Sequence, residues 1–275
     1  MELTKYLPEG LSSDNASLLT AALSMAQQAG KIHLQYFRQK SLEQSTKLND
    51  SDVVTIADKE SEKAIISYIH HHFPQHGIIA EESGGEFSNR QWRWVIDPLD
   101  GTTNFSMGLP VFSVSIALEL NCEAVLGVVY APYLRECFYA VKGHGSWLNG
   151  NRLQCSEKAV LSKAVVATGM PYDRDRNPDN NLAEINRMAM RARGVRRMGS
   201  AALDLCYTAA GYLDAYWELN LNLWDIAAGQ LIAREAGAIV ESIRQDRNHS
   251  ILASNPRLIA SMREVLNRTS AESQS

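Results

Sequence analysis

Trp94-Val95-Ile96-Asp97-Pro98-Leu99-Asp100-Gly101-Thr102-Thr103-Asn104 changes character three times. An apolar run of strand type leads into Asp97. Pro98 has no N–H to give to a ladder, so strand pairing is expected to end there. Asp100, Gly101 and two threonines then read as the opening of a helical turn. The stretch therefore sets two carboxylates three residues apart at a strand end, beside backbone amides able to hold an anion. Like charges so placed repel unless a hard cation lies between them, which makes carboxylates and phosphate-ready amides one chemical unit. An Asp turn with a helix N-cap accounts for the stretch equally well when it is read alone.

Other acids fall at element ends too. Glu81-Glu82-Ser83-Gly84-Gly85 follows a strand over Gly77–Ala80. Asp58 follows Val53–Ala57 and opens a helix, and Asp225, in Trp224-Asp225-Ile226, sits at another helix start. Each has an ordinary explanation: a solvated acidic pair for the first, helix caps for the other two. Together they form a set of acids at loop positions, where function concentrates. No His or Cys cluster competes with them. His70-His71-His72, with His76, reads as a solvated helix end. A site made of oxygen ligands favours Mg²⁺ or Mn²⁺ over Zn²⁺.

The rest of the chain frames these positions. Helices are expected over Asn15–Phe37 and Asp58–Phe73, then strands over 77–80, 92–96, 111–120, 124–131 and 136–141. Beyond Gly145 the pattern alternates: strands at 164–168, 214–218, 239–242 and 251–253, and helices at 180–191, 200–210, 224–236 and 256–266, with Pro256 in a first helical turn. Two helices, a large sheet and then mixed elements argue for an α/β (α+β) layered fold. A boundary is placed in the Gly- and Asn-rich stretch 143–150. It divides the chain into an N-terminal α+β half (1–145), a C-terminal α/β half (146–268) and a polar, disordered tail (269–275).

Composition narrows the classes. Of 275 residues, 45% are hydrophobic and 21% charged, a globular balance. Net charge is −4, so no global basic field draws nucleic acid, and no nucleic-acid partner is expected. No apolar run approaches the roughly 18 residues of a membrane span. Met1–Gly10 has no apolar core, so no signal peptide is expected. Four cysteines without CxxC spacing suit a cytoplasmic protein.

Taken together, Trp94–Asn104, Trp224–Gly237, Glu81-Glu82-Ser83 and Thr55–Asp58 resemble the inositol monophosphatase family of lithium-sensitive, Mg²⁺-dependent phosphatases, across about residues 15–265. The resemblance implies an αβαβα sandwich of the inositol monophosphatase/fructose-1,6-bisphosphatase type and a homodimer. It implies that Glu81, Asp97, the Leu99 carbonyl, Asp100 and Asp225 hold two or three Mg²⁺ ions. Gly101, Thr102 and Thr103 would bind phosphate. Thr102, supported by Asp58, and Glu81 would orient an attacking water. Lys47 stands where the family has a loop lysine.

The substrate implied is a small phosphate ester, inositol monophosphate. Glu218, seven residues before Asp225, has the spacing of the family's inositol-binding glutamate, and Gly199, Ser200 and Ala201 match its pocket-lining small residues. Thr103, in place of a lysine, disfavours the nucleotidase branch. Histidinol phosphate and fructose 1,6-bisphosphate remain alternatives, the second because Arg187–Arg197 supplies cations, as does a catalytically silent metal- or phosphate-binding regulator. Three departures lie near the pocket: Ala80 for a common Gly, Met107 for a common His, and Asn220-Leu-Asn-Leu without the usual Gly.

Overall fold

The computed structural model describes residues 2–8, 10–39, 44–46, 53–87 and 89–267. The elements run α1 (Ser13–Tyr36), β1 (Gln44–Thr46), β2 (Val53–Thr55), α2 (Ile56–His72), β3 (Gly77–Ala80), β4 (Gly84–Glu86), β5 (Trp92–Asp100), α3 (Thr102–Ser106) and β6 (Ser113–Leu120). They continue with β7 (Glu123–Ala131), β8 (Glu136–Val141), β9 (Gly145–Leu148), β10 (Asn151–Arg152), β11 (Val165–Thr168), α4 (Leu182–Ala189), β12 (Gly194–Arg196) and α5 (Ala201–Ala209). The last are β13 (Ala215–Leu221), α6 (Leu223–Glu235), β14 (Ile239–Arg244), β15 (His249–Ser254) and α7 (Ile259–Asn267). Lys47 and the tail from 269 onward lie outside the described residues.

Two sheets carry the fold. One has eight strands in the order β10-β9-β8-β7-β6-β5-β3-β4, the other five in the order β12-β11-β13-β15-β14. Helices α1 and α2 cover the outer face of the first sheet through Leu19, Leu23, Ile65 and Ile69 against Trp94, Ile116 and Val128. Helices α5 and α6 lie between the sheets, and α4 and α7 cover the far face of the second through Met188 and Met262 against Trp217 and Leu252. The layering is αβαβα, as the resemblance implied.

Residue size decides which helix lies on which face. On β6, Val114, Ile116 and Leu118 point to α1 and α2, while Ala117 points to the α5–α6 layer. The small residues let α6 settle onto the strands. At Gly127 of β7, a Cβ would stand 2.9 Å from the Ala228 carbonyl oxygen of α6. That close approach matters for the site, because Asp225 is in the first turn of the same helix.

Several expectations change in detail. Strand β5 does not end at Pro98: a bulge spans Asp97 to Asp100, after which Asp100 pairs with Ser113. Proline is tolerated at a bulge because no ladder N–H is required of it there. The stretch 143–150 is strand β9 between two turns, with positive φ at Gly143, Gly145, Asn149 and Gly150, and the first sheet continues to Arg152. Pro256 precedes the last helix, whose first turn is prepared by Asn255, its Oδ1 accepting from the N–H groups of Arg257 and Leu258. The short strands β1, β2, β4, β9, β10 and β12 were not expected. All four cysteines are free, and no described helix is long and apolar enough to cross a membrane.

The α6 contact gives a test of the layering. Gly127→Val forces backbone apart at Ala228 and should destabilise the protein by about 1–3 kcal/mol in urea unfolding. An unchanged midpoint would show that α6 does not seat on β7 as described.

Candidate functional site

The carboxylates meet where strand ends face helix starts. Asp97, in the β5 bulge, is 2% exposed, and its Oδ1 accepts the Leu99 N–H at 3.0 Å. Gly101 follows with φ +90°, and a Cβ there would meet the Val111 carbonyl oxygen at 2.8 Å, so the turn into α3 requires glycine. The Thr102 hydroxyl lies 2.9 Å from the Leu99 carbonyl and 3.0 Å from Asp58 Oδ1. It has one proton to give to these two acceptors.

Asp58 and Asp225 act as helix caps and also face the site. Asp58 Oδ2 accepts from the Thr55 N–H (2.8 Å) and hydroxyl (2.6 Å), leaving Oδ1 for Thr102. Asp225 Oδ2 accepts the Asn222 N–H at 2.7 Å. Asp100 ties the end of β5 to the start of α5, its Oδ2 accepting from the Ser200 hydroxyl at 2.6 Å and the Ala202 N–H at 2.8 Å. Glu81 follows β3, donates its N–H to the Ile96 carbonyl, and its carboxyl is hydrogen-bonded to that of Asp97.

Electrostatics singles the cluster out. Burial, then Glu81, Asp100 and Asp225, pushes Asp97 well above the carboxylate range. Burial and then Glu81 also push Asp225 well up. Asp100 rises to about 6 and Asp58 to about 7, mainly from burial, with their hydrogen bonds opposing. What raises these four values most is burial and the neighbouring carboxylates. A hard divalent cation would balance this negative charge, and the donors are all oxygen, so the residues fit Mg²⁺ or Mn²⁺. Among the described residues, side chains alone do not close a shell of three or more metal-ligating groups. Mg²⁺ does not require one, since it keeps several waters and takes only one or two carboxylates at a time.

Beside the carboxylates opens a pocket lined by Gly101, Thr102, Thr103, Gly199, Ser200, Ala201, Glu218 and Asp225. The structure thus brings together every expected site residue that it describes and that faces this pocket, with Glu81, Asp97 and Asp58 alongside. Glu218 accepts the Tyr216 hydroxyl at 2.6 Å, and burial raises it to about 7. Gly169 lies against it, and any side chain there would overlap the Glu218 carboxylate.

Other contributors escaped the sequence reading. Glu62 of α2 accepts the N–H groups of Glu82 and Ser83, both at 2.8 Å, and so fixes the turn that carries Glu81. Asn104 donates to the carbonyls of Val111 and Met198, both at 2.8 Å, joining α3 to the Gly199 loop. The basic segment 187–197 divides: Arg187 binds Glu184 and the Val265 carbonyl at the end of α7, while Arg197 lines the pocket near Glu218. Asn220 explains one departure. It has φ +62°, the left-handed conformation that Asn tolerates best after Gly, and it adds a side chain to the pocket wall. Met107 is 74% exposed, so its substitution changes surface only.

Comparison with known proteins agrees with this geometry. The profile of the "Inositol monophosphatase family" matches residues 14–275. The chain is 44% identical over 256 residues to "Nus factor SuhB" of Pasteurella multocida, covering 91% of this chain and 95% of that protein. Among solved structures, inositol monophosphatase from Anabaena (Nostoc) sp. is similar at 37% identity, TM-score 0.82, covering 92% and 96% of the two chains. The extragenic suppressor protein suhB of Bartonella henselae is similar at 37% identity, TM-score 0.84, covering 92% and 99%.

The uncompensated carboxylates set a pH response with a definite sign. Asp100 at about 6 and Asp58 at about 7 bind protons more tightly folded than unfolded. Their part in stability is therefore greatest below the unfolded carboxylate range and is lost as pH rises through these values. In EDTA the melting temperature should be higher at pH 5 than at pH 8, and Mg²⁺ should raise it more at pH 8. An equal rise at both pH values would contradict the electrostatic reading.

Proposed function

The chain belongs to the inositol monophosphatase family, and from that premise we propose that it is a Mg²⁺-dependent phosphomonoesterase that hydrolyses inositol monophosphate to inositol and phosphate. The observation that carries the reading is the convergence of Glu81, Asp97, Asp100 and Asp225 beside the start of α3, where burial and neighbouring carboxylates raise Asp97, Asp100 and Asp225. Glu81, Asp97, the Leu99 carbonyl, Asp100 and Asp225 would hold two or three Mg²⁺ ions, with Mn²⁺ able to substitute. When bound, they supply positive charge that acidifies a water and neutralises charge on phosphate and leaving oxygen.

The chain's own groups do the rest. The first N–H groups of α3, at Thr102 and Thr103, have no carbonyl partner one turn earlier in the helix and face the pocket, where they hold phosphoryl oxygens. The Thr102 hydroxyl donates its proton to Asp58 Oδ1 and presents a lone pair that accepts from the attacking water. Glu81 orients the same water from the Asp97 side. Water attacks phosphorus in line as the P–O bond to inositol breaks, one of its protons ending on the inositol oxygen and the other remaining with the phosphate, without a covalent enzyme intermediate. Tyr216 occupies Glu218 Oε2, and the remaining oxygen of Glu218 accepts from cyclitol hydroxyls.

Phosphate release from a panel of inositol-1-phosphate, fructose 1,6-bisphosphate and histidinol phosphate, with Mg²⁺ or EDTA, tests the proposal. Preference for inositol-1-phosphate with Mg²⁺, abolished by EDTA, supports it. Preference for another ester keeps the site and replaces the substrate, with Arg197 then available for a second phosphate. Asp97→Asn should lower kcat/KM on the order of 10³-fold in a folded protein. Substrate binding should tighten as pH rises through about 7, where Glu218 ionises, and Glu218→Gln should remove that dependence.

The name "Nus factor" borne by curated relatives favours a second role alongside hydrolysis, association with the transcription machinery. Co-sedimentation with RNA polymerase tests it, and Asp97→Asn should bind as well as the wild type if the two roles are separate.

A further inference from the structure

His33 belongs to α1, the helix on the outer face of the first sheet, far in sequence from every acid of the site. It is fully buried. Its Nε2 lies 2.8 Å from the carbonyl oxygen of Pro98, and its ring packs edge-on against Phe105 and Phe112. Its Nδ1 is buried and makes no hydrogen bond among the described residues. A carbonyl oxygen only accepts, so Nε2 carries the hydrogen and Nδ1 is a bare lone pair. Burial pushes the ring down to about 4, which keeps it in that neutral form. A leucine would fill this apolar position without stranding a polar atom. What the histidine adds is the one bond to Pro98.

That bond acts on a rigid body. The Pro98 carbonyl and the Leu99 N–H belong to one trans peptide plane and point in opposite directions. Holding the carbonyl toward α1 therefore turns the Leu99 N–H away from α1, where it donates to Asp97 Oδ1 at 3.0 Å. The next carbonyl, that of Leu99, meets the Thr102 hydroxyl. We propose that His33 is a positioning residue for the cation site: through the Pro98–Leu99 peptide plane it sets the direction of the Asp97 carboxylate. This rests on the reading that Asp97 is a metal ligand. His33 touches neither cation nor substrate. Partners that orient metal-ligating carboxylates commonly change metal affinity 10- to 100-fold when removed.

The test is calorimetric titration of the whole protein with Mg²⁺ in the absence of substrate. His33→Leu, which fills the space without a donor, should weaken Mg²⁺ binding about 10-fold or more. His33→Gln, whose amide can donate to the same carbonyl, should stay within about threefold of wild type, a difference that a purely packing role would not produce. A folded His33→Leu with wild-type affinity, or equal losses in both variants, overturns the proposal. A wild-type protein that binds no Mg²⁺ overturns instead the metal reading beneath it. A second measurement does not depend on the leucine variant folding. In native protein labelled with ¹⁵N-histidine, the His33 Nε2 resonance, assigned with His33→Gln, should shift over the Mg²⁺ range seen by calorimetry. A resonance that stays fixed while Mg²⁺ binds overturns the proposal.

Discussion

Gathering Glu81, Asp97, Asp100 and Asp225 about one pocket costs free energy, because each carboxylate loses water and gains like-charged neighbours. Much of the surrounding structure offsets that cost. Asp58 accepts from Thr55 and Thr102, Asp100 from Ser200 and Ala202, Asp97 from Leu99 and Asp225 from Asn222. Apart from the Leu99 N–H in the β5 bulge, these N–H and O–H donors come from the starts of α2, α3, α5 and α6, the positive ends of the helices. Donors of this kind soften the repulsion without removing it, since burial and like charge still hold Asp58, Asp97, Asp100 and Asp225 above their ordinary range. Under the proposed function a cation completes the balance, and the same helix starts would leave amides over for a phosphate.

The layered fold follows from assembling such a site from separate parts of the chain. Glu81 and Asp97 come from parallel neighbours in the first sheet, since Ala80 pairs with Ile96. Asp225 comes from α6, which reaches them only because Gly127 and Ala117 let the helix lie close to the strands. Glu218 comes from β13, in the second sheet. Asn104 and Asp100 clasp the Gly199 loop from the other side. The pocket thus lies where both sheets and the helix layer between them can each contribute, so that in the proposed function one wall would bind phosphate while another reads the alcohol.

How much was legible in the sequence depended on whether the cause was local. The β5 motif was legible because apolar run, Pro98 and Gly101 each carry their own conformational rule. Asp58 and Asp225 were ambiguous between cap and ligand, and the structure shows why: a carboxylate has two oxygens, one for the cap and one for the site. Glu62 and Asn104 were not legible, since their partners lie up to 94 residues away in sequence and nothing near them signals it. His33 carries no local signal either, since its partner Pro98 lies 65 residues away in sequence. Strands β4, β9, β10 and β12 are too short to show a period, and the turn residues around β9 mimic a boundary. Asn220 marked a missing glycine, but only its left-handed backbone shows that it does the glycine's conformational work.

The central claim is that the acidic cluster is completed by divalent cations. The most direct measurement is anomalous diffraction from a crystal soaked in Mn²⁺, which can stand in for Mg²⁺. The account predicts manganese peaks among the carboxylates of Glu81, Asp97, Asp100 and Asp225 and the Leu99 carbonyl. A crystal saturated with Mn²⁺ whose cluster holds no metal, its acids bonded only to each other and to backbone N–H groups, would contradict it.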